Sequence, residues 1–466
     1  MTTLKHPKIA FSTLLFFVSS FSRAVPIGII DSGVDLNHHD LVNKVWTNSG
    51  LTEGYPDDKH GWNFTENNNH LIDYSYLGRF SRDVPKYFEI QMKVLEGKAT
   101  NDDYRWIQEK KKDQTFIRDL MLFGNFVHGT HVAGISSKIT GHAEIMAAKI
   151  IPTEVIISSV TAFEASILSF SSIFNSLKGF IIDYFMNFSL NYLAGQQTQL
   201  LTRVGRYIDN TKMRIVNCSF GISQDQAKMI VGIIARQLFN KDLTEAEAEK
   251  YGRYFMHRIL VKGSGFVNSA KNTLFVMAAG NDGLDNDLFQ TYPGSLKFDN
   301  TITVAATRGY ERLASFSNYG ASQVEVAAPG VGIRSAIPGD EYLRLSGTSQ
   351  AAPFVTRVAG RILDTNPILN LSDVKKILML TVDKKLFLEG KVKSGGIVNE
   401  DRALRAATYS LNGDVESAIQ KARVDIEDVR HEQSIYELSS INRTESEVIS
   451  ADGEPIALPS PFVLFQ

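Results

Sequence analysis

The chain has 466 residues, of which 43% are apolar. That is enough for a large core, and α/β folds of this size often form one unit with insertions. With 49 Lys and Arg against 51 Asp and Glu, the net charge is −2, so there is no electrostatic reason to expect nucleic acid or an anionic membrane as partner. The single cysteine, Cys218, excludes an intramolecular disulfide.

In chain order, residues 1–24 have the pattern of a signal peptide. Lys5 and Lys8 make a basic start, Ile9 to Phe21 is an uncharged apolar run, and Ser22-Arg23-Ala24 offers small residues where a signal peptidase reads. This pattern predicts a secreted or periplasmic protein. No later stretch is apolar enough for stable membrane insertion: Ala162 to Leu193 comes nearest, but Glu164, Lys178 and Asp183 interrupt it.

Val25 to Ile30 reads as a buried strand ending at Asp31. Residues 48–126 read as a surface insertion with a helix around Trp106 to Leu122. His128 to Ser137 reads as a buried helix and Glu144 to Ile151 as a strand. Further insertions are expected near 160–210 and 224–268. The first carries helices over Ala162 to Leu193 and Gln196 to Ile208. The second is helical from Gln224 to His257, with a capping box at Thr244 and Glu247. Arg214 to Ser219, Thr273 to Ala279 and Thr301 to Ala305 read as strands. Strands alternating with helices predict a three-layer α/β fold, with a mostly parallel sheet and helices on both faces. Residues 411–466 read as a charged C-terminal tail, a helix followed by an extended arm, so that 25–410 form the main domain.

Three motifs carry chemistry. Ile29-Ile30-Asp31-Ser32-Gly33 puts an acid at the end of a buried strand. His128-Gly129-Thr130-His131 opens a helix, and Gly347-Thr348-Ser349-Gln350-Ala351-Ala352-Pro353 is a small-residue turn entering another. A serine hydroxyl is a weak nucleophile that needs an imidazole base, itself held by a carboxylate. Asp31, His128 and Ser349 supply one group of each kind.

With these motifs in the order Asp, His, Ser, the chain resembles the subtilisin-like serine peptidases, the subtilases, from about Val25 to Ala407. Asp35-Leu36-Asn37-His38-His39-Asp40-Leu41, Ala147-Ala148-Lys149-Ile150, Phe316 to Gly320, Val326 to Gly330 and Gly395 to Asn399 extend the likeness. The resemblance implies a serine endopeptidase working through an acyl-enzyme on protein or peptide substrates, as a monomer and with no cofactor required for the chemistry. Ala278-Ala279-Gly280-Asn281 resembles the segment supplying an oxyanion donor, here Asn281. Ser219-Phe220-Gly221 and Ala278-Ala279-Gly280 resemble the strands that bracket a bound peptide. Cys218 is then a wall residue, and His131 a packed histidine rather than a metal ligand. His38 and His39 read as loop residues.

The chain departs from that pattern in three places. About seven residues separate the expected cleavage point from Asp31, which leaves no room there for a folded prosegment. The connection Lys138 to His142 is too short for the loop that holds calcium in many relatives, so structural calcium is conceivable but no metal site is assigned. Gln350 stands where methionine is common. Two other functions use the same scaffold: a binding protein that has lost activity, and a peptide ligase or other acyl transferase.

Overall fold

A computed structural model describes residues 25–50, 52–95, 97–138, 144–154 and 180–429. The expected signal peptide, most of the 138–142 connection, the first part of the expected 162–193 helix and the chain from 430 onward lie outside these residues.

The strands are β1 (Pro26–Asp31), β2 (Gly61–Asn63), β3 (Glu144–Lys149), β4 (Ile215–Cys218), β5 (Leu274–Ala278), β6 (Thr301–Arg308), β7 (Arg312–Leu313), β8 (Val326–Pro329), β9 (Ile333–Ile337), β10 (Glu341–Leu345), β11 (Asp383–Lys384) and β12 (Gly396–Ile397). The main sheet runs β11-β12-β8-β6-β5-β4-β1-β3-β2, with β7 hanging on β6 and β9–β10 forming a separate hairpin. It is parallel except at β11–β12 and β6–β7. Apolar side chains on both faces of a strand require cover on both sides. Met146, Val216, Phe275 and Met277 face one apolar cluster, whereas Ile215, Leu274, Val276 and Val304 face another.

The helices are α1 (Asp83–Leu95), α2 (Asn101–Lys110), α3 (Gln114–Ser136), α4 (Phe180–Asn210), α5 (Gln224–Phe239), α6 (Glu245–Asn268), α7 (Thr348–Thr365), α8 (Leu371–Leu380), α9 (Glu400–Tyr409) and α10 (Val415–Asp425). Residues of α4, α5 and α6 cover the first face, and residues of α7, α8, α9 and α10 the second. The fold is therefore three-layer α/β, with a mostly parallel sheet between helices.

Several elements differ from the sequence reading. The helix expected over 106–122 is broken at 111–113, where Asp113 accepts from the Thr115 and Phe116 N–H groups and starts α3. That helix then runs on through His128, so the histidine helix begins four turns earlier than its motif. Phe116, Leu120, Phe126 and Val127 pack on Val84, Tyr87 and Phe88 of α1, giving the 48–126 stretch a small core of its own. The same stretch supplies β2, which pairs with β3 and buries Trp62.

Helix α4 passes through Gly195 without the expected break. One interior glycine costs about 1 kcal/mol, less than the buried stripe Met186, Leu190, Ala194, Leu201 and Val204 contributes. The 224–257 pattern divides at Asn240, a left-handed cap, and restarts at the Thr244–Glu247 capping box. At the C-terminal end, α10 buries Ala418, Ile419 and Ala422 against the main core. Arg402 donates to the Ile426 carbonyl and pairs with Asp428 at 2.7 Å, so residues up to 428 are fastened to the domain.

Candidate active site

Asp31 closes β1 at the C-terminal edge of the sheet, where parallel α/β folds leave a crevice between diverging strands. Its Oδ1 accepts from the Ser32 N–H and faces His128 Nδ1, both at 2.7 Å. Asp31 and His128 are both buried. A carboxylate can only accept, so this contact puts the proton on Nδ1 and leaves Nε2 as the basic nitrogen. The turn after Asp31 and the helix carrying His128 are tied together by the Gly129 N–H, which donates to the Ser32 side-chain Oγ at 3.2 Å. A side chain on Gly129 would overlap the Gly33 carbonyl oxygen.

Ser349 is the second residue of α7, among the first N–H groups that have no carbonyl one turn earlier. Pro353 has no N–H, so the Ser349 carbonyl lacks its helical donor. The Ser219 hydroxyl takes that place at 2.9 Å, and the Ser349 hydroxyl donates in return to the Ser219 carbonyl at 3.1 Å. Behind them Asn217 donates to Ser219 Oγ and accepts from Thr356 Oγ1. The structure thus joins Asp31 to His128 directly, and holds Ser349 through Ser219.

Asn281 Oδ1 accepts from both the Thr348 N–H at 2.8 Å and Thr348 Oγ1 at 2.9 Å. A backbone N–H can only donate, so the amide orientation is fixed and Nδ2 points the other way. A Cβ at Gly347 would lie 3.3 Å from Asn281 Nδ2 and 3.6 Å from the Ser349 nitrogen, and would crowd Gln350 Oε1 at 2.8 Å. The two donors therefore border one small volume.

Of the expected peptide-facing segments, Ser219, Phe220 and Gly221 follow β4, Ala278 ends β5, and Ala279 and Gly280 follow it. The polar groups of Ala279 and Gly280 are already engaged. The Ala279 N–H bonds Val304, and its carbonyl accepts from Asn286 Nδ2. The Gly280 N–H donates to Thr348 Oγ1, and its carbonyl accepts from Asn318. The N–H groups of these two residues are therefore not available to a peptide, whereas the Gly280 carbonyl, with one donor, keeps a lone pair that could accept from one. Sequence reasoning missed Thr348, Asn217, Thr356 and Asn318 as supports; the first, adjoining Ser349, was the one with a local signal.

His131 Nε2 lies 3.1 Å from the carbonyl oxygens of both Ile333 and Leu343, tying α3 to the β9–β10 hairpin. Complete burial drives its pKa down to about 3, so it stays neutral. Cys218 is buried, and desolvation, reinforced by the charge of Asp31, raises its thiol well above the usual range; it is no nucleophile.

His38, His39 and Asp40 bring potential ligand atoms within 4.8 Å of one another. His38 is buried rather than a loose loop side chain, and both its nitrogens are engaged, with the Glu341 carbonyl and the Asp40 N–H. His39 is engaged with Asp340 and with the Tyr342 hydroxyl, which donates to Asp40. Two imidazoles and one carboxylate do not fit calcium, which takes oxygen ligands.

The profile of the subtilase family matches residues 22–403. The chain is 41% identical over 114 residues to the thermophilic serine proteinase of Bacillus sp. (strain AK1), covering 24% of this chain and 26% of that protein. It is 39% identical over 112 residues to the cell wall-associated protease of Bacillus subtilis (strain 168), covering 24% and 12%. The chain thus matches well under two thirds of the length of these relatives. Among solved structures, the epidermin leader peptide processing serine protease of Staphylococcus aureus is similar with a TM-score of 0.47 and 16% identity, over 85% of this chain and 76% of that one. Among the described residues, no helix is long and apolar enough to cross a membrane.

Proposed function

The chain belongs to the subtilase family, and from that premise we propose that it is an exported serine endopeptidase with Asp31, His128 and Ser349 as its triad and Asn281 as oxyanion donor. The observation that carries this reading is the buried 2.7 Å contact between His128 Nδ1 and Asp31, made between segments 97 residues apart, with Asp31 on the strand that pairs with β4, after which Ser219 bonds Ser349. A buried imidazole with its tautomer fixed by a carboxylate is what a serine nucleophile requires.

In this mechanism His128 Nε2 accepts the Ser349 proton as Oγ attacks the scissile carbonyl, then gives it to the leaving amine. Water deacylates the enzyme by the same route. The developing oxyanion is stabilised by Asn281 Nδ2 and the Ser349 N–H, whose positions are set before substrate arrives. At rest the Ser349 hydroxyl bonds the Ser219 carbonyl. A substrate N–H that claims this carbonyl displaces the hydroxyl and frees it to bond His128, so peptide binding itself arms the nucleophile. Protein or peptide substrates, a monomeric state, residues 1–24 as signal peptide and chemistry without a cofactor belong to the same reading.

The test is labelling by a fluorophosphonate together with casein cleavage. The wild type should do both, and Ser349→Ala, folded and free of host proteases, neither. Cleavage by purified Ser349→Ala would overturn the assignment. Amide formation with an added amine, in place of hydrolysis, would move the reading to an acyl transferase.

A further inference from the structure

Val25 stands at the N-terminal end of the sheet, on the side opposite the candidate active site. Its backbone nitrogen donates to Asp364 Oδ1 at 2.7 Å, across 339 residues of sequence. Its side chain packs on the apolar cluster under α7. Val25 also lines a cleft of about 760 Å³ with Pro26, Trp46, Asn210 and Arg214.

Asp364 is an unusual acceptor for one amide. It lies in the last turn of α7, near the negative end of the helix dipole, where a carboxylate is disfavoured. Burial raises its pKa, and the Val25 hydrogen bond and the Arg361 charge offset this only in part. Among the described residues Asp364 forms no salt bridge, since Arg361 is paired with Glu400 at 2.7 Å. The other charged groups around this end of the sheet are Glu53, Glu144, Lys212 and Arg214, which line the cleft. Arg214 is held by the Pro367 and Leu369 carbonyls. A partly buried carboxylate whose nearest donor is a neutral amide would be better matched by a cation at that nitrogen.

We propose that Asp364 is the receptor for a free α-amino group at Val25, generated when the chain is cut after Ala24. The proposal rests on the export reading above. In the cut, water adds across the Ala24–Val25 bond under a signal peptidase: the hydroxyl goes to the Ala24 carbonyl carbon and the hydrogen to the Val25 nitrogen. The new amine takes up a proton from solvent at neutral pH. One neutral N–H donor becomes an ammonium with three donors beside a carboxylate, a charge-assisted bond of greater strength. Removal of the leader thereby fastens β1 to α7, and so joins the strand of Asp31 to the helix of Ser349 at their far ends.

The experiment uses exported full-length protein in a Ser349→Ala background, so that self-cleavage is absent and the outcome is independent of the peptidase reading. N-terminal mass spectrometry should find Val25 first; a mature chain starting elsewhere overturns the proposal. Thermal unfolding is then compared for this protein, for Asp364→Asn, for an insertion of one alanine between Ala24 and Val25, and for both changes together. Each single change should lower Tm by about 1–2 °C, and the double change should add little to either, because both remove the same ion pair. The ammonium has a pKa of about 8 in the unfolded chain, raised when paired. The advantage of the parent over the insertion variant should therefore be full at pH 7 and fade as pH rises towards 10. Additive losses, an unchanged Tm in Asp364→Asn, or a gap independent of pH would overturn it.

Discussion

Ser219 and Ser349 exchange hydrogen bonds, each hydroxyl donating to the other residue's carbonyl, at 2.9 and 3.1 Å. The pairing exists because Pro353 deprives the Ser349 carbonyl of a helical donor. Ser219→Ala should then leave that carbonyl and Asn217 Nδ2 short of a partner in a buried setting. A loss of about 2 kcal/mol is expected, together with a fall in kcat larger than any rise in KM, because the start of α7 is no longer held. Urea unfolding and steady-state kinetics check both, and a variant as stable as wild type would show that water replaces the hydroxyl.

Asn281→Ala should reduce kcat by about 10²- to 10³-fold, the range established for such a donor in subtilisin, with KM little changed. Thr348→Val deletes one of the two bonds that fix the Asn281 amide, and should give a smaller loss of the same kind. If KM moves and kcat does not, Asn281 shapes the pocket instead of stabilising the transition state.

Gly129→Ala tests how Asp31 and His128, the proposed acid and base, are held together. A Cβ at Gly129 would lie 2.1 Å from the Gly33 carbonyl oxygen, so α3 must move by about an ångström relative to the turn after Asp31. A displacement of that size costs about 10²-fold in rate. The measurement is kcat/KM of a variant whose near-ultraviolet circular dichroism matches wild type. Unchanged kinetics would mean that α3 slides without disturbing the His128–Asp31 contact.

His131 sets an acid limit. Its folded pKa of about 3 lies below the unfolded value near 6.5, so the unfolded chain takes up the proton first. Its contribution is fully present above pH 6.5 and is lost as pH falls towards 3, at about 1.4 kcal/mol per pH unit well inside that window. Urea unfolding of the Ser349→Ala protein at pH 7, 6 and 5 should show this slope. It should be flatter in His131→Gln, which keeps an N–H donor and cannot titrate; equal slopes would assign the acid sensitivity to other groups.

The central strands were legible because β1 and β5 are short apolar runs and β3, β4 and β6 are short segments dominated by apolar and β-branched residues. Asp31, His128 and Ser349 could be singled out for the same reason, each lying in a compact motif. What was not legible depends on distant partners. Strand β2 is three residues long and exists only because β3 offers an edge. The buried side of α10 is Ala418, Ile419 and Ala422, set among charged residues, whose apolar face has meaning only against α8 and α9. Likewise the pairing of Ser219 with Ser349 follows from a missing N–H at Pro353 and from a strand 130 residues away.

Helix α3 belongs to two cores at once. Its first turns, with Phe116 and Leu120, are packed among the aromatic residues of the 48–126 stretch, and its later turns, from Val132, on the sheet. Phe116 and His128 are twelve residues apart on one unbroken helix, about 18 Å at 1.5 Å per residue. An α-helix of that length is stiff, so the outer layer grips one end of a lever whose other end is His128, the proposed base. Tilting the grip by a few degrees swings His128 by roughly an ångström, the distance over which a proton-transfer geometry is made or broken. The aromatic layer thus bears on the proposed reaction through the axis of α3, from the far end of the helix.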